Sequence, residues 1–146
     1  MVEDQNFHKV KKIIFIILLL FVFNSNSYSQ NFKLEKLVNL DSPWGSSFIN
    51  SNEMIVTEKS GKIKIVNILS REIQEISHRL NFVVHGQGGL LDIIHKDNYI
   101  WISYTEDRGG YKTSTSIARA EFNKKQLNFK NIFQANPPID SGYHFG

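Results

Sequence analysis

A chain of 146 residues has room for one modest domain, and 41% hydrophobic residues give it the means to bury a core. The formal charge is only +3, and past residue 12 no lysine- or arginine-dense block occurs, which argues against a nucleic-acid partner. Cysteine is absent, so disulfides are excluded and stability must come from packing or from metals.

The first thirty residues read differently from the rest. Lys9, Lys11 and Lys12 precede an unbroken apolar run of eleven residues, Ile13 to Phe23. Polar Asn24 to Gln30 follows, with Ser27 and Ser29 as the small residues a signal peptidase reads. This order predicts a signal peptide over residues 1–29, cleaved after Ser29, and a mature chain over 30–146. Glu3 and Asp4 depart from the usual basic leader. The apolar run is shorter than the roughly 20 residues a bilayer span requires, so no stable membrane span is expected after cleavage. Cleavage removes three of 17 Lys+Arg and two of 14 Asp+Glu, leaving 14 − 12 = +2. The expected location is periplasmic or secreted, and the lack of cysteine suits a bacterial periplasm.

The mature part predicts strand after strand. Met54–Lys59 is β-rich, Ser60-Gly61 is a turn signal, and Lys62–Asn67 alternates polar and apolar residues, which together predict a hairpin. Arg71–Ser77 carries the next strand. The order then repeats with Gly89–Ile94, Tyr99–Tyr104, Thr113–Phe122 and Asn128–Phe133. Asp107–Lys112 and Asn136–Gly142 read as loops. Nothing after Gln30 keeps helical spacing for long.

Gly45 and Gly89 open similar segments 89 − 45 = 44 residues apart, and Met54 and Tyr99 open long β runs 45 apart. A period in the forties with four strands per unit points to β-propeller blades. Pattern alone leaves a β-sandwich standing beside it. About two blades fit, and two blades would leave apolar flanks and strand edges open, as in part of a longer ring.

The stretch Gly86-Gln87-Gly88-Gly89-Leu90-Leu91-Asp92 is the most specific local motif. Its glycines let the backbone turn tightly and lie close to a ligand. Gln87 offers a neutral donor and acceptor suited to sugar hydroxyls, although a plain turn into a strand explains the residues as well. Trp44, Thr57 and Glu58 read as structural, Asp92 as a loop holder, and Arg119 as the partner of a carboxylate between strands. His78, His85 and His95 do not have ligand spacing for a metal, and His85 is placed to line any pocket beside Gln87.

Taken together, Ser42-Pro43-Trp44-Gly45, Ile55–Gly61, Gly86–Asp92, Ile102–Glu106, Thr115–Ala120 and Tyr143-His144-Phe145-Gly146 resemble the opening part of the soluble quinone-dependent sugar dehydrogenases, the glucose/sorbosone dehydrogenase family. The resemblance implies an all-β fold, the first two blades of a six-bladed β-propeller. It implies oxidation of an aldose at the C1 hydroxyl by hydride transfer to pyrroloquinoline quinone, with Ca2+ present and an external electron acceptor. It makes Gln87 a substrate-binding residue, and His144 the general base and a contact of the quinone. The quinone and calcium ligands are expected beyond Gly146. The chain departs from the family at Lys59, where arginine is usual, at Asn50–Asn52, where a Pro-Asp-Gly-like turn is usual, and at Tyr143, where some members carry an aspartate.

Two other readings remain at this stage. One is a non-catalytic secreted propeller of the same family, acting as a binding module. The other is a propeller lyase or lactonase using a metal. On the leader, mass spectrometry of the protein recovered from its native host should find a mature N-terminus at Gln30; a cytoplasmic protein still beginning at Met1 would contradict the assignment.

Overall fold

The structure is a computed structural model that describes residues 11–12, 14–15 and 32–145. Lys11, Lys12, Ile14 and Phe15 are helical; the rest of the expected leader over 1–29 lies outside the described residues. Among the described residues no helix is long and apolar enough to cross a membrane. The chain divides into a unit Met1–Glu35 and a unit Lys36–Gly146. Among the described residues all the strands lie in the second unit.

The strands are β1 (Pro43–Asn50), β2 (Glu53–Glu58), β3 (Ile63–Asn67), β4 (Ile73–His78), β5 (Leu90–Lys96), β6 (Tyr99–Asp107), β7 (Thr113–Glu121), β8 (Gln126–Leu127) and β9 (Lys130–Gln134). They form two sheets, ordered β1-β2-β3-β4-β8 and β5-β6-β7-β9. All neighbours are antiparallel except β8, which joins β4 in parallel. The first sheet is therefore a four-strand meander with β8 added at its edge and the second a four-strand meander, and the repeat expected near 44 residues is the repeat of these meanders. The predicted strands are all present. Asp97 and Asn98 turn β5 into β6 with φ of 52° and 63°, the left-handed pair that matches the twist of a tight hairpin.

One core joins the two sheets. Ile55, Ile63, Ile65 and Ile76 from the first meet Leu90, Ile93, Ile100, Ile102, Tyr104, Ala118 and Ala120 from the second, with Leu127 of β8 closing the outer side. Period-two alternation puts these residues on facing surfaces: Ile55 lies opposite Ile65 in one sheet, and Ile93 opposite Ile102 in the other. Burying each large aliphatic side chain contributes about 1.5–3 kcal/mol. On the other face of the first sheet, Met54, Val56 and Val66 line a groove with Leu37, Val38 and Leu40. Trp44 lines the same groove and is 53% exposed, so it packs only along one side. Beyond these contacts the apolar flanks are open: Phe48, Ile94, Ile132 and Phe133 are exposed.

Polar ties fix the sheets against each other. The Gly45 amide donates to Thr57 Oγ1 at 3.0 Å, and the Thr57 hydroxyl donates to the Leu91 carbonyl of the next sheet at 2.6 Å. A methyl group on Gly45 would lie 2.7 Å from the Asp92 Cα, so the innermost strands touch backbone to backbone. The His95 amide donates to Ser47 Oγ at 3.1 Å. On the outer side Gln74 donates to the Lys124 carbonyl at 2.8 Å, and Lys124 pairs with Glu53 at 2.6 Å.

Arg119 corrects a sequence expectation. Its guanidinium lies over the Tyr99 ring at 4.4 Å and the Trp101 ring at 5.2 Å, rather than against a carboxylate. Trp101 is its direct cross-strand partner, so the aromatic face is the nearest surface available.

Thr57 is the test of this account. In the full-length protein, Thr57→Val keeps the shape but leaves the buried Gly45 amide without an acceptor. Chemical denaturation should show a loss of about 1–3 kcal/mol; an unchanged midpoint would show that the tie contributes nothing.

Candidate active site

Strand direction alternates, so the connections after β2, β4, β6 and β9 all emerge at one end of the two sheets. These are residues 59–62, 79–89, 108–112 and 135–145. The hydrogen bonds confirm the gathering. Leu90 N donates to the Lys59 carbonyl, Val83 N to the Thr105 carbonyl, and Asp107 N to the Asn81 carbonyl. Thr113 and Ile139 exchange backbone bonds at 2.8 and 2.9 Å.

The Gly86-Gln87-Gly88 turn docks on the last segment of the chain. The Gln87 amide donates to the Gly142 carbonyl at 2.7 Å, and the Lys59 ammonium donates to the Gly86 carbonyl. Gly86 has φ of 56°, and a Cβ there would overlap the Gly142 carbonyl oxygen. Only glycine fits both conditions. The structure thus brings the segments of Gln87 and His144 into contact, although 144 − 87 = 57 residues separate them in the chain.

His144 is held by its neighbours. Phe145 is buried and its carbonyl accepts from the Thr115 hydroxyl at 3.2 Å. Thr113 Oγ1 donates to the Ser141 carbonyl at 3.2 Å, and Tyr143 N donates to Ser141 Oγ at 3.2 Å. His144 itself is exposed, with φ of 66°, an uncommon left-handed conformation for a side-chain-bearing residue. Gln87 is exposed too. Among the described residues neither side chain makes a hydrogen bond. Among the described residues Asp140 makes no hydrogen bond to His144; it lines a separate cleft with His85.

Two buried carboxylates support this end. Thr57-Glu58 at the end of β2 recurs as Thr105-Glu106 near the end of β6, and in both the threonine takes the amide of a glycine on the innermost side: Gly45 to Thr57, Gly89 to Thr105 at 3.2 Å. Glu58 Oε1 accepts from the Asp41 amide and from Lys64, both at 2.7 Å. Burial pushes the Glu58 pKa up, but the Lys64 and Asp41 hydrogen bonds and the charges of Lys64 and Lys62 outweigh it and hold the group below the usual carboxylate value. Its Oε2 is buried with no partner among the described residues. Among the described residues Glu106 is held without a cation, by Ser116 at 2.5 Å, Gln134 at 2.8 Å and Asn131 at 3.3 Å. Burial and then the Glu106 charge push Tyr104 up to about 12. The paired Thr-Glu dipeptides stand in the sequence as a signal of the repeat, one that strand patterning passes over.

Among the described residues no three histidine or carboxylate groups converge to hold an ion. Lys59 donates to the Gly86 carbonyl, and Arg108 donates to Ser114 Oγ.

Two stacked four-strand meanders with their functional loops gathered at one end are the first two blades of a β-propeller. The chain belongs to the glucose/sorbosone dehydrogenase family, whose sequence profile matches residues 40–146. It is similar to the aldose sugar dehydrogenase YliI of Escherichia coli strain K12, with 28% identity over 116 residues, 73% of this chain and 31% of that protein. The crystal structure of the soluble aldose sugar dehydrogenase from Escherichia coli in the apo-form superposes with a TM-score of 0.68 and 27% identity, covering 73% of this chain and 33% of that one. The PQQ-bound aldose sugar dehydrogenase from Streptomyces coelicolor shares the fold, with a TM-score of 0.61 and 20% identity over 71% of this chain and 34% of that one. The chain spans about a third of the length of these relatives.

The loop contact is testable. In the full-length protein, Gly86→Ala should place Ala in a left-handed conformation costing about 1–2 kcal/mol and push the turn off Gly142. Limited proteolysis should then cut within 82–88 and 139–145 faster than in the wild type; equal protection would mean the two segments do not depend on each other.

Proposed function

We propose that the protein carrying this chain is an exported aldose dehydrogenase that uses pyrroloquinoline quinone, working in the periplasm or outside the cell. The observation that supports this most is the hydrogen bond from Gln87 N to the Gly142 carbonyl, which joins the segments that carry Gln87 and His144. Gln87 donates to and accepts from hydroxyls of the aldose ring. The imidazole of His144 removes the proton from the C1 hydroxyl, standing exposed on the segment that Thr115 and Phe145 pin down. The quinone would supply the acceptor for the C1 hydride, and an external electron acceptor would balance that two-electron oxidation. The ligands of the quinone and of Ca2+ belong to the part of the protein beyond Gly146, with His144 as the one contact this chain offers the cofactor.

The roles separate in kinetics of the full-length protein loaded with quinone and calcium. His144→Gln should lower kcat by about 10²–10⁴-fold and remove the acidic limb of the kcat/KM profile. Gln87→Ala should lower kcat/KM by the equivalent of about 1–3 kcal/mol. A His144→Gln enzyme with near-normal kcat and that limb intact would remove the general-base assignment.

A further inference from the structure

Gln87 sits in a four-residue turn, His85 to Gly88, closed by the Gly88 amide on the His85 carbonyl at 2.7 Å. That bond uses neither polar group of the turn's central peptide, the one between Gly86 and Gln87. Both groups are taken from outside the turn. The Gln87 N–H donates to the Gly142 carbonyl at 2.7 Å, and the Gly86 carbonyl accepts from the Lys59 ammonium. One peptide plane is thus held at its two opposite edges. This plane ends at the Gln87 Cα, so its orientation sets the direction in which the Gln87 side chain leaves the turn. Gly86, at φ of 56°, gives the turn its hand but no stiffness of its own.

Lys59 is itself anchored. Its amide donates to the Ser42 carbonyl at 3.1 Å, and its carbonyl accepts from the Leu90 amide at 3.4 Å. The residue before it, Glu58, is fully buried. Gly89 lies so close that a Cβ there would overlap the Lys59 carbonyl oxygen and stand 3.0 Å from Lys59 Cγ. The backbone of Lys59 therefore holds the exit of the turn, its stem passes Gly89, and its ammonium reaches the entry at Gly86. The side chain is half-buried, and among the described residues its ammonium makes no ion pair with a carboxylate. An exposed carbonyl finds water easily, so what a charged donor adds there is a fixed direction.

We propose that Lys59 is the positioning residue for Gln87: it fixes the Gly86–Gln87 peptide plane and so aims the glutamine amide at the sugar. Lys59 acts through Gln87 and not on the reacting atoms. Without it the turn keeps one of its two outside bonds, and binding the sugar must order the glutamine as well. The role needs a cationic donor of this reach, which arginine also supplies and methionine does not. Its part in sugar oxidation rests on the function proposed above; the clamp on the turn does not.

The test uses the full-length protein in two arms. In the first, the enzyme loaded with quinone and calcium oxidises glucose. Lys59→Met should raise KM about tenfold, as for loss of one charge-assisted hydrogen bond, with kcat little changed, and Lys59→Arg should restore KM. In a Gln87→Ala background Lys59→Met should have no further effect, because the two residues act as one unit. In the second arm, without sugar, NMR of protein labelled with 15N-glutamine follows exchange of the Gln87 amide. Exchange should quicken about tenfold in Lys59→Met and slow again in Lys59→Arg. Methionine keeps the stem beside Gly89, thermal melting checks that the fold is kept, and Lys59→Gln repeats both arms with a polar stem. If the wild type oxidises no aldose, the function proposed above fails and the exchange arm decides the clamp alone. Exchange that ignores Lys59→Met or stays fast in Lys59→Arg overturns the proposal. So does an unchanged KM, or a loss in the Gln87→Ala background equal to that in the wild type.

Discussion

The hydroxyl of Thr57 is the point on which the arrangement turns. It takes the Gly45 amide from its own blade and gives its proton to the Leu91 carbonyl of the next. Thr57 is fully buried, so each of these groups would otherwise lose water without replacement. The bond also sets distance. Gly45 has no side chain, the innermost strands approach until Gly45 meets Asp92, and the isoleucine faces close behind them. Dispersion and burial supply most of the energy, while the hydroxyl determines the one register in which that energy is collected.

That register decides what the loops do. Once the innermost strands are locked, the turn after β4 has one place to lie, and it lies between Lys59 and Gly142. The candidate site is thus built from backbone contacts of loops whose ends are set by rigid strands, which is the arrangement that positions a functional group without fixing it in a core. The exposed side chains of Gln87 and His144 stand on a buried support: Gly142, Phe145 and the Thr105 hydroxyl beneath Gly89. Lys59 serves the same support, its ammonium donating to the Gly86 carbonyl.

Most strands were legible because alternation is a local property. Met54–Lys59 and Lys62–Asn67 carry the pleat in their own residues, and they fold as β2 and β3. β1 was visible only as the partner of a later segment in the repeat, since its Ser46-Ser47 breaks the apolar pattern. β8 was not legible. Two residues, Gln126 and Leu127, become a strand because β4 offers an open edge to them. Arg119 was misread for a related reason: its nearest surface is set by cross-strand register, which puts Trp101 opposite it, and charge complementarity alone carries no register. At the site, the motif around Gln87 and the terminal histidine could be named from their residues. Their meeting through Gly142 could not, because it depends on a docking of loops distant in sequence. The loop at Asp107–Lys112 looked like a simple insertion, and the exposure and left-handed backbone of Tyr111 become visible only in three dimensions.

The Thr57 bond has a direction. One blade donates the proton and the next accepts it, and the accepting blade repeats the same glycine-to-threonine bond at Gly89 and Thr105. The surface that gives is therefore different from the surface that receives. Contacts of that kind are heterologous: they run head to tail, and they end only when rotation brings the last unit back to the first. Two blades taken by themselves carry a giving flank and a receiving flank at once. Their self-association would run head to tail rather than stop at a symmetric pair, and it would end where rotation brings the last copy back to the first.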